Sequence, residues 1–252
     1  MKIAIIPDIH GRTFWTKIKD KVELFDHIVF LGDYLDPYKN EGIDFPSAIE
    51  NFEEIIQFKK DNPLKVHLLL GNHDGQYMGW SHTYSRYSAV HKDQIQSLFM
   101  ENIVLFNLAL RLENILFTHA GVSNTWLDQR EYVISANEIA DKLNYFLHEW
   151  HKKELDAPYR PSRYSEFDFD ANPSFADIGY SRGGFAPSGG PTWADVADML
   201  KNPAYKDELI QIFGHTQLIK TGNIIKDQNC YMCDSREVFI WDNGEFMPYE
   251  SE

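Results

Sequence analysis

Met1-Lys2-Ile3-Ala4-Ile5-Ile6-Pro7-Asp8-Ile9-His10-Gly11 opens the chain. A short apolar run, residues 3–6, stops at a carboxylate, an imidazole and a glycine. The pattern recurs. Residues 27–31 stop at Gly32-Asp33, residues 66–70 at Gly71-Asn72-His73-Asp74, residues 115–118 at His119-Ala120-Gly121, and residues 210–213 at Gly214-His215-Thr216. Each run is four or five residues rich in Ile, Val, Leu or Phe, the mark of a strand buried on both faces. Residues 229–232 and 238–241 add two further strand candidates, read as a closing hairpin.

Helical patterns lie between these runs. Ile49, Phe52, Ile55 and Ile56 share one face, entered at Pro46-Ser47 and left at Asn62-Pro63. Residues 93–100 form a shorter candidate. Residues 135–153 form the longest, with Ile139, Leu143, Phe146, Leu147 and Trp150 at helical spacing. Strands alternating with helices give an α/β class.

Residues 156–191 break the pattern with Pro, Gly, Ser and Asp. They also hold Tyr159, Tyr164, Phe167, Phe169, Phe175, Tyr180 and Phe185, too aromatic for a solvated linker. The expectation is an ordered loop insertion near the site.

Composition narrows the function. In 252 residues, 24 basic against 38 acidic side chains leave a formal charge of −14, which argues against general nucleic-acid binding. A small phosphorylated partner stays open, because bound cations reverse the local sign. No apolar run approaches the roughly 20 residues of a membrane span, and the N-terminus does not read as a signal peptide. Cys230 and Cys233 lack the second pair that a zinc site needs, and so low a cysteine count fits a reducing cytoplasm.

Taken singly, the polar clusters have ordinary readings. Asp8 or Asp33 is a helix N-cap, Gly-Asn-His a turn, and His119 a structural imidazole. Those readings are independent of one another. One explanation covers all five, since ligands in open α/β sheets bind beyond the carboxyl ends of strands. Asp8, His10, Asp33, Asn72, His119 and His215 form a mixed N/O donor set suited to Mn, Fe, Zn or Ni rather than Ca.

The order Asp8-x-His10-Gly11, Gly32-Asp33-x-x-Asp36, Gly71-Asn72-His73-Asp74, His119-Ala120-Gly121, Gly214-His215-Thr216 resembles the calcineurin-like metallophosphoesterases. It spans residues 8–216. The resemblance implies a single domain, a four-layer αββα sandwich of two mixed sheets flanked by helices, with a dinuclear metal site at the strand C-terminal ends. Asp8 and His10 would hold one cation, Asn72, His119 and His215 the other, and Asp33 would bridge. Manganese is the first expectation. His73 would be the general acid toward a metal-bridging hydroxide mechanism, with Asp36 fixing its tautomer.

Thr118-His119-Ala120-Gly121-Val122 and Gly32-Asp33-Tyr34-Leu35-Asp36 are similar to the phosphoprotein phosphatase branch, which holds Ser/Thr phosphatases and diadenosine tetraphosphate hydrolases. Three departures from the related patterns matter, of which the second agrees with this branch. Pro37-Tyr38 stands where that branch has Arg-Gly. Gln217 stands where many phosphodiesterases have a second metal-binding His. Asp195 stands where a similar bacterial segment has Arg. Arg12 and Arg182 are the expected substitute phosphate ligands. A phosphomonoesterase acting on a small phosphorylated molecule or a phosphoprotein is the first expectation. The alternatives are a diadenosine polyphosphate hydrolase, toward which Asp74 tilts the reading, a cyclic or nucleic-acid phosphodiesterase, and a non-catalytic binding module.

Overall fold

The computed structural model describes residues 1–80, 85–130, 132–156 and 174–250. In chain order the strands are β1 (Lys2–Ile6), β2 (His27–Phe30), β3 (Val66–Leu69), β4 (Phe106–Asn107), β5 (Ala109–Leu112), β6 (Ile115–Thr118), β7 (Ile210–Phe213), β8 (Ile225–Asp227), β9 (Cys230–Met232), β10 (Phe239–Asp242) and β11 (Glu245–Pro248). The α-helices are α1 (Phe45–Asp61), α2 (Asn72–Met78), α3 (Lys92–Glu101), α4 (Asn124–Gln129), α5 (Ile139–Asp156) and α6 (Val196–Lys201), with a 3₁₀ segment over Phe14–Leu24.

Two mixed sheets result. One runs β11-β10-β1-β2-β3-β4, the other β5-β6-β7-β9-β8. Strand alternation explains how they stack. Ile3 and Ile5 of β1, Val29 of β2 and Leu69 of β3 point one way, to meet Ile115 and Phe117 of β6, Ile212 of β7, and Phe239 and Trp241 of β10 in one apolar layer. Their neighbours Ala4, Ile6, Ile28, Phe30 and Leu68 point the other way, onto α1 and α3. Met199 of α6 covers Phe213, Cys230 and Met232 on the far face of the second sheet. Helices therefore flank a double sheet, as the αββα expectation requires.

The helix α1 shows how the sequence places one of these layers. The Asp44 carboxylate accepts from the Ser47 N–H (2.8 Å) at the N-cap, and Pro46 costs nothing in the first turn. Ile49, Phe52 and Ile55 are buried, each stabilising the fold by roughly 1.5–3 kcal/mol relative to an exposed position. Phe52 stacks on Tyr34 (ring centroids 4.9 Å), whose hydroxyl donates to the Leu69 carbonyl (2.8 Å). The helix thereby fixes the loop after β2, which carries Asp33 and Asp36.

Two expectations need correction. Residues 229–232 and 238–241 are not a hairpin with one another. β9 pairs with β7 and β8 in the second sheet, whereas β10 pairs with β1 and β11 in the first. The true turn of the last hairpin is Asn243-Gly244, with φ of 49° and 94°, a dipeptide that favours such turns. The long helix begins at Ile139, four residues later than the periodicity suggests, after a turn that opens at Ser135. Of the insertion, residues 174–191 run as turns and two 3₁₀ segments, with Phe175 buried against Trp80 (4.8 Å). Residues 157–173, including Tyr159, Tyr164, Phe167 and Phe169, lie outside the described residues. Both cysteines are free and buried, and burial raises the Cys230 thiol to about 12, which suits packing rather than chemistry.

An acid-sensitive contact lies at the start of β2 and β3. His27 Nδ1 and His67 Nε2 are 3.1 Å apart. Burial, then His27 and Lys59, lower His67 to about 4. The folded state thus resists a proton that the unfolded chain accepts near 6.5, so stability should fall as pH drops from about 6.5 toward 4. Denaturant melts in EDTA at pH 7 and pH 4.5 should show His67→Gln losing roughly 1–2 kcal/mol less than wild type over that interval. Equal losses would assign the acid sensitivity elsewhere.

Candidate metal centre

Every polar cluster follows the C-terminal end of a strand, and backbone contacts gather those ends. His10 N–H donates to Asp33 O (2.7 Å), and Gly11 N–H to Tyr34 O (2.9 Å), tying the loops after β1 and β2. Gly214 N–H donates to His119 O (2.7 Å), tying those after β6 and β7. His215 N–H donates to Asp8 Oδ1 (3.0 Å) and joins the two sheets. The Asp74 carboxylate accepts from the N–H groups of Gly71 (2.8 Å), Asp33 (2.8 Å) and Tyr34 (3.0 Å). It is fully buried and braces two loops.

The loops are tightly constrained. His10, Asp33, Asp36 and His215 adopt φ of 45°, 53°, 62° and 67°, sterically costly for side-chain-bearing residues, and all four meet at this place. Two glycines leave room for carboxylates. A Cβ on Gly71 would lie 2.2 Å from Asp33 Oδ1, and one on Gly214 would lie 2.2 Å from Asp8 Oδ1.

Two donor groups form around a shared residue: Asp8, His10 and Asp33 in one, Asp33, His119 and His215 in the other. Asp33 Oδ2 is 3.6 Å from His10 Nε2 and 3.5 Å from His119 Nε2. Tautomers follow from the backbone. His10 Nδ1 donates to Leu35 O (2.8 Å) and His119 Nδ1 to Leu31 O (2.8 Å), so in both rings it is Nε2 that turns toward Asp33 as a potential ligand atom. Asn72 Oδ1 lies 3.0 Å from His119 Nε2 and 2.9 Å from His215 Nδ1. Lone pairs thus converge, an arrangement that a cation relieves.

The charge balance agrees. Asp8, Asp33, Asp36, Asp74 and Asp234 are all at most 2 % exposed. Burial pushes Asp33 up to about 7 against the help of His73, and burial together with Asp8 raises Asp234. Burial also lowers His10 and His215, keeping both imidazoles neutral and ligand-competent. Asp234 Oδ1 and His215 Nε2 have no hydrogen-bond partner among the described residues. So many buried carboxylates call for compensating positive charge. The residues present fit a pair of divalent cations.

Beside the donors, His73 N–H donates to Asp33 Oδ1 (2.8 Å), and His73 Nδ1 pairs with Asp36 Oδ2 (2.7 Å). The Asp36 carboxylate also accepts from Gln76 and from the Tyr77 hydroxyl. Gln76 and Tyr77 sit three and four residues after His73 on α2, a spacing visible in the sequence but not used in reading it. The cleft above holds about 190 Å³ and is lined by His10, Asp33, Asn72, His73 and His215 together with Tyr38, Ser85, Arg86, Arg182 and Trp193.

The family model described as calcineurin-like phosphoesterase matches residues 1–218, over the same chain segment that supplies all the donors. The chain belongs to the calcineurin-like phosphoesterases. It is a metallophosphoesterase, and its fold agrees with a solved protein serine/threonine phosphatase from Saccharomyces cerevisiae with similarity to human phosphatase PP5. That match has 17 % identity and a TM-score of 0.52, covering 100 % of this chain and 81 % of the other. A metallophosphoesterase from Sphaerobacter thermophilus matches at 11 % identity and a TM-score of 0.34, covering 100 % and 90 %. No curated protein sequence matches the chain. Among the described residues, no helix of this phosphoesterase is long and apolar enough to cross a membrane.

The two expected phosphate-binding arginines are placed differently from one another. Arg12 does not line the cleft. Its Nε and Nη2 donate to the two Glu41 carboxylate oxygens (2.8 and 3.0 Å) and its Nη1 to Asp8 O (3.3 Å), so the guanidinium is committed to holding a loop. Arg182 does line it. Sequence reading missed Arg86, whose Nη2 donates to His73 Nε2 (3.1 Å) and approaches His10 Nε2 (3.4 Å). No motif surrounds Arg86 in the sequence; only its left-handed backbone (φ 70°) and the fold reveal it.

Proposed function

We propose that this phosphoesterase hydrolyses phosphomonoesters of small phosphorylated molecules or of phosphoprotein side chains. The reading rests on the His73–Asp36 pair, whose imidazole edge opens into a cleft lined by the metal donors and by two guanidiniums. Asp8 and His10 would hold one divalent cation and Asn72, His119 and His215 the other, with Asp33 between them. Bound cations would supply Lewis-acid neutralisation of the phosphate and acidification of a water nucleophile; manganese is the proposed pair.

The chain's own residues do the rest. Asp36 orients His73 through Nδ1, so that a ring carrying a second proton on Nε2 can deliver that proton to the departing ester oxygen. The donors, fixed by backbone bonds and strained loops, keep their positions through turnover, so little reorganisation is needed. A volume of about 190 Å³ is below the roughly 300–1,000 Å³ of drug-sized pockets, and suits a phosphoryl group with its leaving group outside. We also propose that residues 1–252 form one domain, since β10 and β11 complete the first sheet beyond the matched segment. Buried thiols and the acidic balance favour a cytoplasmic protein that does not bind nucleic acid generally.

The test is a set of steady-state rates on p-nitrophenyl phosphate, bis-p-nitrophenyl phosphate and diadenosine tetraphosphate with added Mn²⁺. Turnover of the monoester ahead of the others is expected. Activity confined to the diester or the dinucleotide would replace this reading with one of its alternatives.

A further inference from the structure

The two arginines that the phosphoprotein phosphatase pattern leads one to expect are absent at Pro37-Tyr38 and at Asp195. The structure brings an arginine from elsewhere in the chain to each of these places. Arg86 comes from the loop after α2. Its guanidinium carbon lies over the Tyr38 ring, 3.8 Å from the centroid, and its Nε donates to the Asp36 carbonyl (2.9 Å). Arg182 comes from the insertion. Its Nε pairs with the Asp195 carboxylate (2.7 Å) and its Nη2 donates to the Thr216 hydroxyl, next to His215. Asp195 also caps α6 by accepting from Ala197 N–H (2.9 Å), so its position is fixed. Both guanidiniums line the cleft.

We infer that Arg86 and Arg182 form a relocated two-arginine clamp for the dianionic phosphoryl group of a monoester, a proposal that rests on the hydrolase reading above. Arg86 is held through its Nε and Arg182 by the Asp195 carboxylate and Thr216, and both side chains reach the cleft. Arg86 Nη2 points between His10 Nε2 and His73 Nε2, a nitrogen assigned to a cation and a nitrogen assigned to the leaving group. Its N–H is therefore aimed at the volume between them. A phosphate oxygen there would take over the hydrogen bond that His73 Nε2 now accepts, which frees that nitrogen to take up a proton from water and present it to the leaving oxygen. Arg12 is excluded because Glu41 already occupies its fork. A monoester offers three non-bridging oxygens to these donors where a diester offers two, so the clamp also sets substrate preference.

Inorganic phosphate is the probe. Binding to the Mn²⁺-loaded wild type, Arg86→Ala, Arg86→Lys and Arg182→Ala is measured by calorimetry, alongside Mn²⁺ affinity and thermal melting. Loss of charged hydrogen bonds should weaken phosphate binding about tenfold to a hundredfold in each alanine variant. Arg86→Lys should recover only part, KM for p-nitrophenyl phosphate should rise in parallel, and monoester-over-diester preference should shrink. Mn²⁺ affinity should not change. Phosphate affinity equal to wild type in both alanine variants overturns the clamp. Weaker phosphate binding that merely tracks weaker Mn²⁺ binding or a lowered melting temperature also overturns it, because that assigns the arginines a structural role. A chain that binds phosphate through these arginines yet hydrolyses no monoester leaves the clamp standing and overturns the hydrolase reading.

Discussion

Asp33→Asn should abolish hydrolysis while making the metal-free protein more stable. Asp33 belongs to both donor groups, so its loss weakens both cation sites together. A fall in kcat/KM of about three orders of magnitude or more, about 4 kcal/mol in transition-state stabilisation, is the expected scale. Mn²⁺ titration should show weakened binding at both sites rather than one. Stability should move the other way. The carboxylate is buried beside Asp8 and Asp36, and burial, opposed by His73 and reinforced by those two carboxylates, brings it up to about 7. An asparagine keeps an oxygen for the His73 N–H and turns an NH₂ toward the lone pairs of His10 and His119, which now face Oδ2 at 3.6 and 3.5 Å. Melting in EDTA should therefore rise by a few degrees, on the order of 1–3 kcal/mol. A variant less stable than wild type in EDTA, with one Mn²⁺ still bound tightly, would show that Asp33 is a structural carboxylate serving one site.

The same electrostatics explains why the centre could be read from sequence while its surroundings could not. The donors each follow a strand, and strands buried on both faces announce themselves as short apolar runs bounded by glycine. Ile3 to Ile6 and Val66 to Leu70 needed no partner to be recognised. Gly71 and Gly214 are legible too, because any Cβ there would collide with Asp33 or Asp8. Half-exposed strands were harder. β5 and β11 carry polar residues such as Arg111 and Glu245, and the single apolar alternation in each is too short to stand out. The swap of β9 and β10 between sheets is a long-range outcome that no local pattern encodes, although Asn243-Gly244 marked the real hairpin.

The arginines fail for a different reason. A ligand held by a loop backbone depends on φ at one residue, and an arginine at φ 70° has no local signature. Reading by position nominated Arg12 because it adjoins Asp8-x-His10-Gly11. Geometry gave that residue to Glu41, which lies 29 positions away in the chain. Asp195 illustrates the converse. Taken alone it is a missing cation; in the fold it is the anchor that carries Arg182 to the cleft. Substitutions at such a site are interpretable only in pairs.

His73→Ala should separate leaving groups. If His73 Nε2 protonates the departing oxygen, its value depends on how much that oxygen needs a proton. General acid catalysis contributes about 10²–10⁴-fold, and an alkyl phosphate such as glycerol phosphate should lose that much. p-Nitrophenolate leaves readily without protonation, so p-nitrophenyl phosphate should lose about tenfold or less, an amount assigned to lost positioning. His73 donates only its backbone N–H to Asp33, which alanine retains, so Mn²⁺ binding should be preserved. Asp36, left without its imidazole, still accepts from Gln76 and Tyr77, and the fold should hold. The pattern across leaving groups carries the argument, because a steric or metal-binding defect lowers all rates alike. Equal losses on the alkyl and the aryl ester would make His73 a positioning residue and move the proton to another donor, for which Arg86 is too basic and a cleft water the remaining candidate.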